Sequence, residues 1–286
     1  MGSGKTTVLN HILSDDSFAD TAVIINEFGE VGIDHLLVET SIEEDELIVM
    51  QSGCICCTIR GDLVDTLADL EARNKNGDLP MFRRVLVETT GLADPAPILQ
   101  TIMSDPLLVD KYVLGRVITT VDAVNGEGTL DVHSEAVKQA AVSDKLLLTK
   151  TDIAEEQSIS SLKTKLDALN PRAPIEQVIK GVVLPEFIFD CGFYTLDGKT
   201  DSVCSWLSEA KKDIYKNGDH NHKHDHNNTS EILTFCLYRK SPLPWEGVKL
   251  WLESIVSLSG ENLLRVKGII NIAEYDTPII IHGVQH

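Results

Sequence analysis

Residues suited to binding phosphate stand at the start of the chain, where positions 1–7 read MGSGKTT. Gly4, Lys5 and Thr6 fill the last three positions of the phosphate-loop pattern G-x-x-x-x-G-K-[ST], with Gly2, Ser3 and Thr7 around them. Small residues let backbone N–H groups close on phosphate. The Lys5 ammonium can neutralise β- and γ-phosphates, and the Thr6 hydroxyl can ligate Mg²⁺. A glycine turn capping an ordinary helix has the same local look. Two later stretches bear on the choice. VLVETTG sets Glu88 and Gly91 just past an apolar run, where an acidic residue can approach Mg²⁺ and a glycine N–H can sense the γ-phosphate. LLLTKTD ends another apolar run with Lys150 and Asp152. In an N-K-x-D arrangement the aspartate accepts from guanine N1–H and its exocyclic amine, while the lysine stem lies along the ring. Adenine lacks that donor pair, so such a site penalises it. Thr149 stands where the asparagine is usual.

GCICC places Cys54, Cys56 and Cys57 together. Adjacent thiols make a poor disulfide, but three thiolates can converge on a soft or borderline cation where the backbone turns sharply after Gly53. Zn²⁺ suits such donors best, with Co²⁺ and Ni²⁺ behind it. A reactive thiol pair and three buried cysteines are the other readings. DHNHKHDH supplies His220, His222, His224 and His226 in a polar segment, which is either a weak scavenger of zinc or nickel or a solvated linker. The isolated His11, His35 and His133 read as packing or surface residues, and Cys191, Cys204 and Cys236 as small core residues.

Elements must hold these groups in place. TAVIIN (21–26), ELIVM (46–50), RRVLVE (83–88), GRVITTV (115–121), KLLLT (145–149) and IEQVI (175–179) read as buried strands. Helical periodicity lies between most of them. Val8, Leu9, Ile12 and Leu13 share one face after the glycines, and Leu63, Val64, Leu67 and Leu70 share another. The first helix therefore opens on the candidate phosphate loop, with its positive N-terminal dipole facing the anion. The alternation predicts an α/β fold with a mostly parallel sheet and helices on both faces, and together with the phosphate-loop pattern it reads as a P-loop NTPase. Residues 186–230 form a connecting segment containing the histidines. Beyond it, EILTFCLYR, NLLRVKGIINI and TPIIIHGVQH read as strands. PWEGVKLWLESIVSLS reads as a helix with Trp245, Val248, Leu252, Ile255 and Val256 inward. The expected domains are 1–185, and a small α+β domain over 231–286.

The 286 residues carry a formal charge of −19 and are 43% apolar. That balance opposes a nucleic-acid partner, which needs a basic stripe, and suits handling of cations. With no long apolar run and no signal-like start, the sequence predicts a cytoplasmic protein without a membrane role. The clustering of the cysteines excludes a secreted disulfide framework.

The phosphate-loop residues, INEFGEVGID, GCICC, ETTG and TKTD, in this order, resemble the CobW-type GTPases, a family of metal-chaperone and metal-insertion proteins. The resemblance implies binding of GTP and GDP with Mg²⁺, slow hydrolysis of GTP to GDP and phosphate, and a C-x-C-C metal site coupled to nucleotide state. It assigns roles to Gly2, Gly4, Lys5, Thr6, Thr7, Glu30, Cys54, Cys56, Cys57, Glu88, Gly91, Lys150 and Asp152. T-K-x-D occurs in this family, so Thr149 fits it. The implied partner is a metal-receiving client protein. The resemblance also places a first strand and the first half of the loop before Met1, and further C-terminal elements after His286. The chain is therefore expected to be a piece of a longer protein with weakened nucleotide binding. A GTPase with a redox-sensing thiol cluster and a non-enzymatic metal-storage protein are the rival functions.

Overall fold

The computed structural model describes residues 2–26, 47–49, 55–58, 63–91, 93–189, 232 and 237–284. Strand β1 (Thr21–Asn26) lies between β3 (Ile55–Thr58) and β4 (Arg84–Thr89), parallel to both, and β2 (Leu47–Val49) pairs antiparallel with β3. A second block runs β5 (Ile118–Asp122), β6 (Lys145–Thr149), β7 (Ile175–Val178), all parallel. Thus the expected parallel sheet is present as two blocks, with one antiparallel edge. Leu86 of β4 and Ile118 of β5 pack against the same core cluster, so the two blocks share one interior.

Side-chain alternation along β1 shows why helices must cover both faces. Val23 and Ile25 pack with Val8, Leu9, Ile12 and Leu13 of α1 (Lys5–Ser14). Ala22 and Ile24 pack with Leu63, Val64, Leu67 and Leu70 of α2 (Leu63–Asn76) on the other side. Each of the larger side chains contributes roughly 1.5–3 kcal/mol of burial. In the second block Leu147 joins the α1 side. Leu146 and Leu148 face α4 (Gly126–Val132), α5 (Ser134–Val142) and α6 (Glu156–Leu169), where Leu162 and Leu166 are fully enclosed. Asn170 closes this layer, its amide nitrogen donating to the carbonyls of Ala140, Ala141 and Ser143 at 2.8–3.1 Å. These bonds give donors to carbonyls at the C-terminal end of α5, adding to the Ser143 N–H that the Ala140 carbonyl also accepts at 3.4 Å.

Helix α3 (Pro95–Ser104) follows β4, and α7 (Pro185–Phe189) follows β7. Past the connecting segment, α8 (Trp245–Ser259) accompanies an antiparallel hairpin of β8 (Val266–Ile270) and β9 (Ile279–Gly283). On α8, Val248 is buried and Trp245, Leu252 and Ile255 half-buried, whereas Val256, expected inward, is 38% exposed. Apolar spacing defines a stripe, but the neighbouring surface decides how wide a part of it is covered. Most of EILTFCLYR lies outside the described residues, and residues 237–239 are not in a strand.

The hairpin touches the first domain at a charged seam. Arg265 donates to Asp144 at 2.8 Å and to the carbonyl of Val142, and Lys267 meets the other Asp144 oxygen at 2.8 Å. Burial opposes ionisation of Asp144, but the two cations and the Val117 N–H hold its carboxyl below the ordinary range. Beside this seam Val284 packs on Ala96 and Leu99 of α3. No helix among the described residues is long and apolar enough to cross a membrane.

Candidate functional site

The C-terminal ends of β5, β6 and β7 and the start of α1 meet at one place. Gly2 and Gly4 both adopt left-handed backbone, at φ 76° and 84°, and Gly4 is the N-cap of α1. Such a turn aims successive N–H groups inward. No side chain caps the first turn of α1 and no acidic residue lies in it. Half-buried Lys5 and exposed Thr6 and Thr7 leave this helix start positive and open.

The loop is tied to the sheet. Ser3 Oγ lies 2.8 Å from Thr120 Oγ1 of β5, and Thr149 Oγ1 donates to Ser3 O at 2.8 Å. A Cβ on Gly4 would meet Thr149 at 3.3 Å. Thr149 thus has a job that its place in TKTD did not reveal, joining the TKTD turn to the glycine-rich loop.

The turn after Thr149 is fixed by its backbone and by one side chain. Lys150 sits at φ 59°, and its carbonyl accepts from the N–H groups of Ile153 and Ala154. Its ammonium donates to Asp122 Oδ2 at 2.6 Å. Asp122, the last residue of β5, also accepts from the N–H groups of Val124 and Asn125 and from the Asn125 amide. Burial works against its charge, yet these donors, Lys150 foremost, keep the carboxyl below its usual range. Asp152 is exposed at the mouth of the turn.

Sequence reasoning missed both Asp122 and Gly181. The signal for the first was a carboxylate ending a buried parallel strand, TTVDA. Gly181, at φ 81° just after β7, lies so close to α1 that a Cβ there would stand 2.3 Å from Thr7 O. It sets the β7 turn directly against the phosphate loop.

Glu88 occupies the C-terminal half of β4 in register with Ile25. Gly91 follows in a turn whose Thr90 carbonyl accepts from Ala93 N–H at 3.2 Å. Cys56 and Cys57 belong to β3, paired in register with Val23 and Ile24 of β1. A strand there was not expected from GCICC. Cys54, Gly53, Glu30 and His220, His222, His224 and His226 lie outside the described residues. His11 bonds the Val183 carbonyl at 3.2 Å and packs edge-on against Phe18, as a packing residue does.

A glycine-rich loop opening a helix, locked to the carboxyl ends of parallel strands beside a T-K-x-D turn, defines a nucleotide-binding α/β domain. Comparison with known proteins narrows this class. Residues 1–177 match the family described as CobW/HypB/UreG, nucleotide-binding domain, and residues 232–286 match the cobalamin synthesis protein cobW C-terminal domain. The chain belongs to the CobW family. It is 33% identical to zinc chaperone YjiA of Escherichia coli (strain K12) over 288 residues, spanning 100% of this chain and 83% of that protein. It is 28% identical over 246 residues to zinc-regulated GTPase metalloprotein activator 1 of Dictyostelium discoideum, covering 74% of this chain and 50% of the relative. Among solved structures, Zn(II)-bound YjiA GTPase from E. coli superposes with a TM-score of 0.67 at 29% identity, covering 100% of this chain and 83% of that one. A Zn(II)-bound triple mutant of the same GTPase gives 0.69 at 30% identity, with 99% and 83% covered.

Proposed function

We propose that this chain is a GTP-binding and GTP-hydrolysing metallochaperone for zinc that acts in the cytoplasm. Its GTPase domain spans 1–185, the connecting segment 186–230 and the C-terminal domain 231–286. The observation that carries the reading is the lock between Thr149 and Ser3, which makes one continuous site of a phosphate loop and a guanine-selective turn. Family membership and the names of the relatives support the cargo. In this site Asp152 accepts from the guanine edge, and the Lys150 stem, anchored through Asp122, lies along the ring. The N–H groups opening α1 and the Lys5 ammonium hold the β- and γ-phosphates, with Gly2, Ser3, Gly4 and Thr7 shaping the cradle, and the Gly91 N–H meets the γ-phosphate.

The Thr6 hydroxyl and Glu88 carboxylate are hard oxygen donors of the kind Mg²⁺ takes, so they are the residues that would hold it. Mg²⁺ held there would supply charge neutralisation to the phosphates. Cys54, Cys56 and Cys57 carry zinc as cargo, with cobalt and nickel as weaker alternatives. Glu30 either adds an oxygen ligand or positions water. Because the thiols fall in sequence between NEFGEVG and ETTG, segments that respond to a γ-phosphate on either side bias how zinc is held. GTP then favours one ligand geometry and GDP another, and hydrolysis releases the ion to a client protein. His220, His222, His224 and His226 provide weak additional capture.

Asp152→Asn tests the base site. It exchanges an acceptor for a donor, so GTP affinity should fall about a hundredfold or more while xanthosine triphosphate binding improves. Unchanged GTP binding in that variant removes Asp152 from the site.

A further inference from the structure

Helix α5 carries a side chain that neither the motifs nor the nucleotide site accounts for. The amide nitrogen of Gln139 donates to two carbonyls of the segment following β4, Gly91 O at 3.3 Å and Ala93 O at 2.8 Å. One residue earlier, Lys138 Nζ donates to Asp94 Oδ2 at 2.9 Å, and Asp94 caps α3 through Ala96 N–H at 3.0 Å. Helix α5 is itself fixed to the sheet, since the Gln139 carbonyl accepts from Thr119 Oγ1 of β5 at 3.0 Å and from Ser143 Oγ at 2.6 Å. The neighbouring β5 residues Thr120 and Asp122 hold the phosphate loop and Lys150. One strand therefore sets the register of the loop, the base turn and, through Gln139, the Gly91 turn.

The geometry of the peptide unit gives this contact a consequence. The carbonyl of Thr90 and the N–H of Gly91 belong to one planar trans unit and point in opposite directions. With the Thr90 carbonyl engaged by Ala93 N–H, the direction of the Gly91 N–H depends on where Ala93 sits. Gln139 grips Ala93 and Gly91 together. An amide nitrogen suits this task because it has two hydrogens for two acceptors, whereas a carboxylate of the same shape has none.

We propose that Gln139 is a positioning residue that aims the Gly91 N–H at the γ-phosphate of GTP, so that discrimination of triphosphate from diphosphate runs through α5. This rests on the reading above that Gly91 meets the γ-phosphate. Losing the grip removes a hydrogen bond made to the triphosphate alone, which corresponds to about a tenfold loss of affinity.

The test compares Gln139→Glu, Gln139→Ala and Gln139→Lys with the parent 286-residue chain. The measurements are affinities for GDP and a non-hydrolysable GTP analogue, thermal unfolding, and amide exchange across residues 88–93. The Glu and Ala variants should bind the analogue about tenfold more weakly with GDP affinity changed less than twofold. They should also lose the analogue-specific protection. Gln139→Lys, which keeps donors at similar reach, should retain most of the ratio. If the parent protects residues 88–93 equally with either nucleotide, the Gly91 reading itself falls, and the inference with it. If the parent discriminates and the Glu and Ala variants discriminate equally well, the inference alone is overturned. A parallel loss of both affinities together with thermal stability also overturns it, since that outcome marks a purely structural contact.

Discussion

Gly181→Ala asks whether the β7 turn really abuts the phosphate loop. The parent glycine sits at φ 81°, where an L side chain costs roughly 1–2 kcal/mol. The added Cβ would stand 2.3 Å from Thr7 O, 2.7 Å from Thr7 C and 3.1 Å from Val8 N. All three are backbone atoms, so no rotamer change relieves the contact. A carbon and a carbonyl oxygen settle at about 3.3 Å or more, so the turn and α1 must separate by about 1 Å. Overpacking of this kind costs about 1–3 kcal/mol. Together the two effects predict a loss of about 2–5 kcal/mol, a fall of roughly 4–20 °C in the unfolding midpoint for a domain of this size. The displaced helix start also carries Lys5, so GTP affinity should fall in the same variant. Gly128→Ala in α4 is the matched control: nothing lies within 4 Å of its Cβ position and its φ is not in the left-handed range. It should gain about 0.5–1 kcal/mol. Thermal unfolding and a fluorescent-nucleotide titration of the three proteins suffice. A Gly181→Ala chain unfolding within about 1 °C of the parent refutes the close approach and the energetic reasoning built on it.

Two further outcomes follow from the thiols and from the seam between the domains. Replacing Cys56 and Cys57 by serine should abolish tight zinc binding and any zinc stimulation of GTP hydrolysis, because a hydroxyl stays protonated at neutral pH. GTP binding should persist, and deleting residues 219–226 should remove only weaker metal uptake. Metal titration that finds tight zinc in the double variant but not in the deletion reverses these roles. His282 accepts from Arg265 Nε at 3.0 Å, and burial first, then the charges of Arg265 and Lys267, lower it from 6.5 to about 4, against a smaller opposing pull from Asp144. Its folded form therefore resists a proton that the unfolded chain accepts. The stabilisation is complete above pH 6.5 and is lost as pH falls toward 4, a loss of about 2 kcal/mol once partial solvent access of the ring is discounted. Below that, protonation of Asp144 weakens the seam further. Thermal unfolding between pH 7.5 and 4.5 should show a slope that His282→Gln flattens, and an unchanged slope excludes the residue.

The strands and most helices were legible because burial writes a period into the chain. Thr21–Asn26 and Lys145–Thr149 are continuous apolar runs fed by both faces of a sheet, and α2 repeats leucine and valine at helical spacing. The nucleotide motifs were legible for a related reason. A phosphate loop and a T-K-x-D turn each work through a few consecutive residues, so their chemistry is written locally. In GCICC the thiols overshadowed the short strand Ile55–Thr58, whose existence depends on pairing with Thr21–Asn26, about thirty positions away.

What only the tertiary structure decided are the contacts between distant residues of ordinary type. Asp122 holding Lys150, Thr149 holding Ser3, Gly181 against Thr7, and Gln139 on Gly91 and Ala93 leave no periodic or motif signature. A hydrogen bond across a fold needs one donor and one acceptor at the right place, and nearly every sequence offers many of each. The local code thus determined which residues are proposed to meet phosphate and base. The packing of β5, α1 and α5 determined what keeps those residues aimed, because only the closed core brings them within hydrogen-bonding distance.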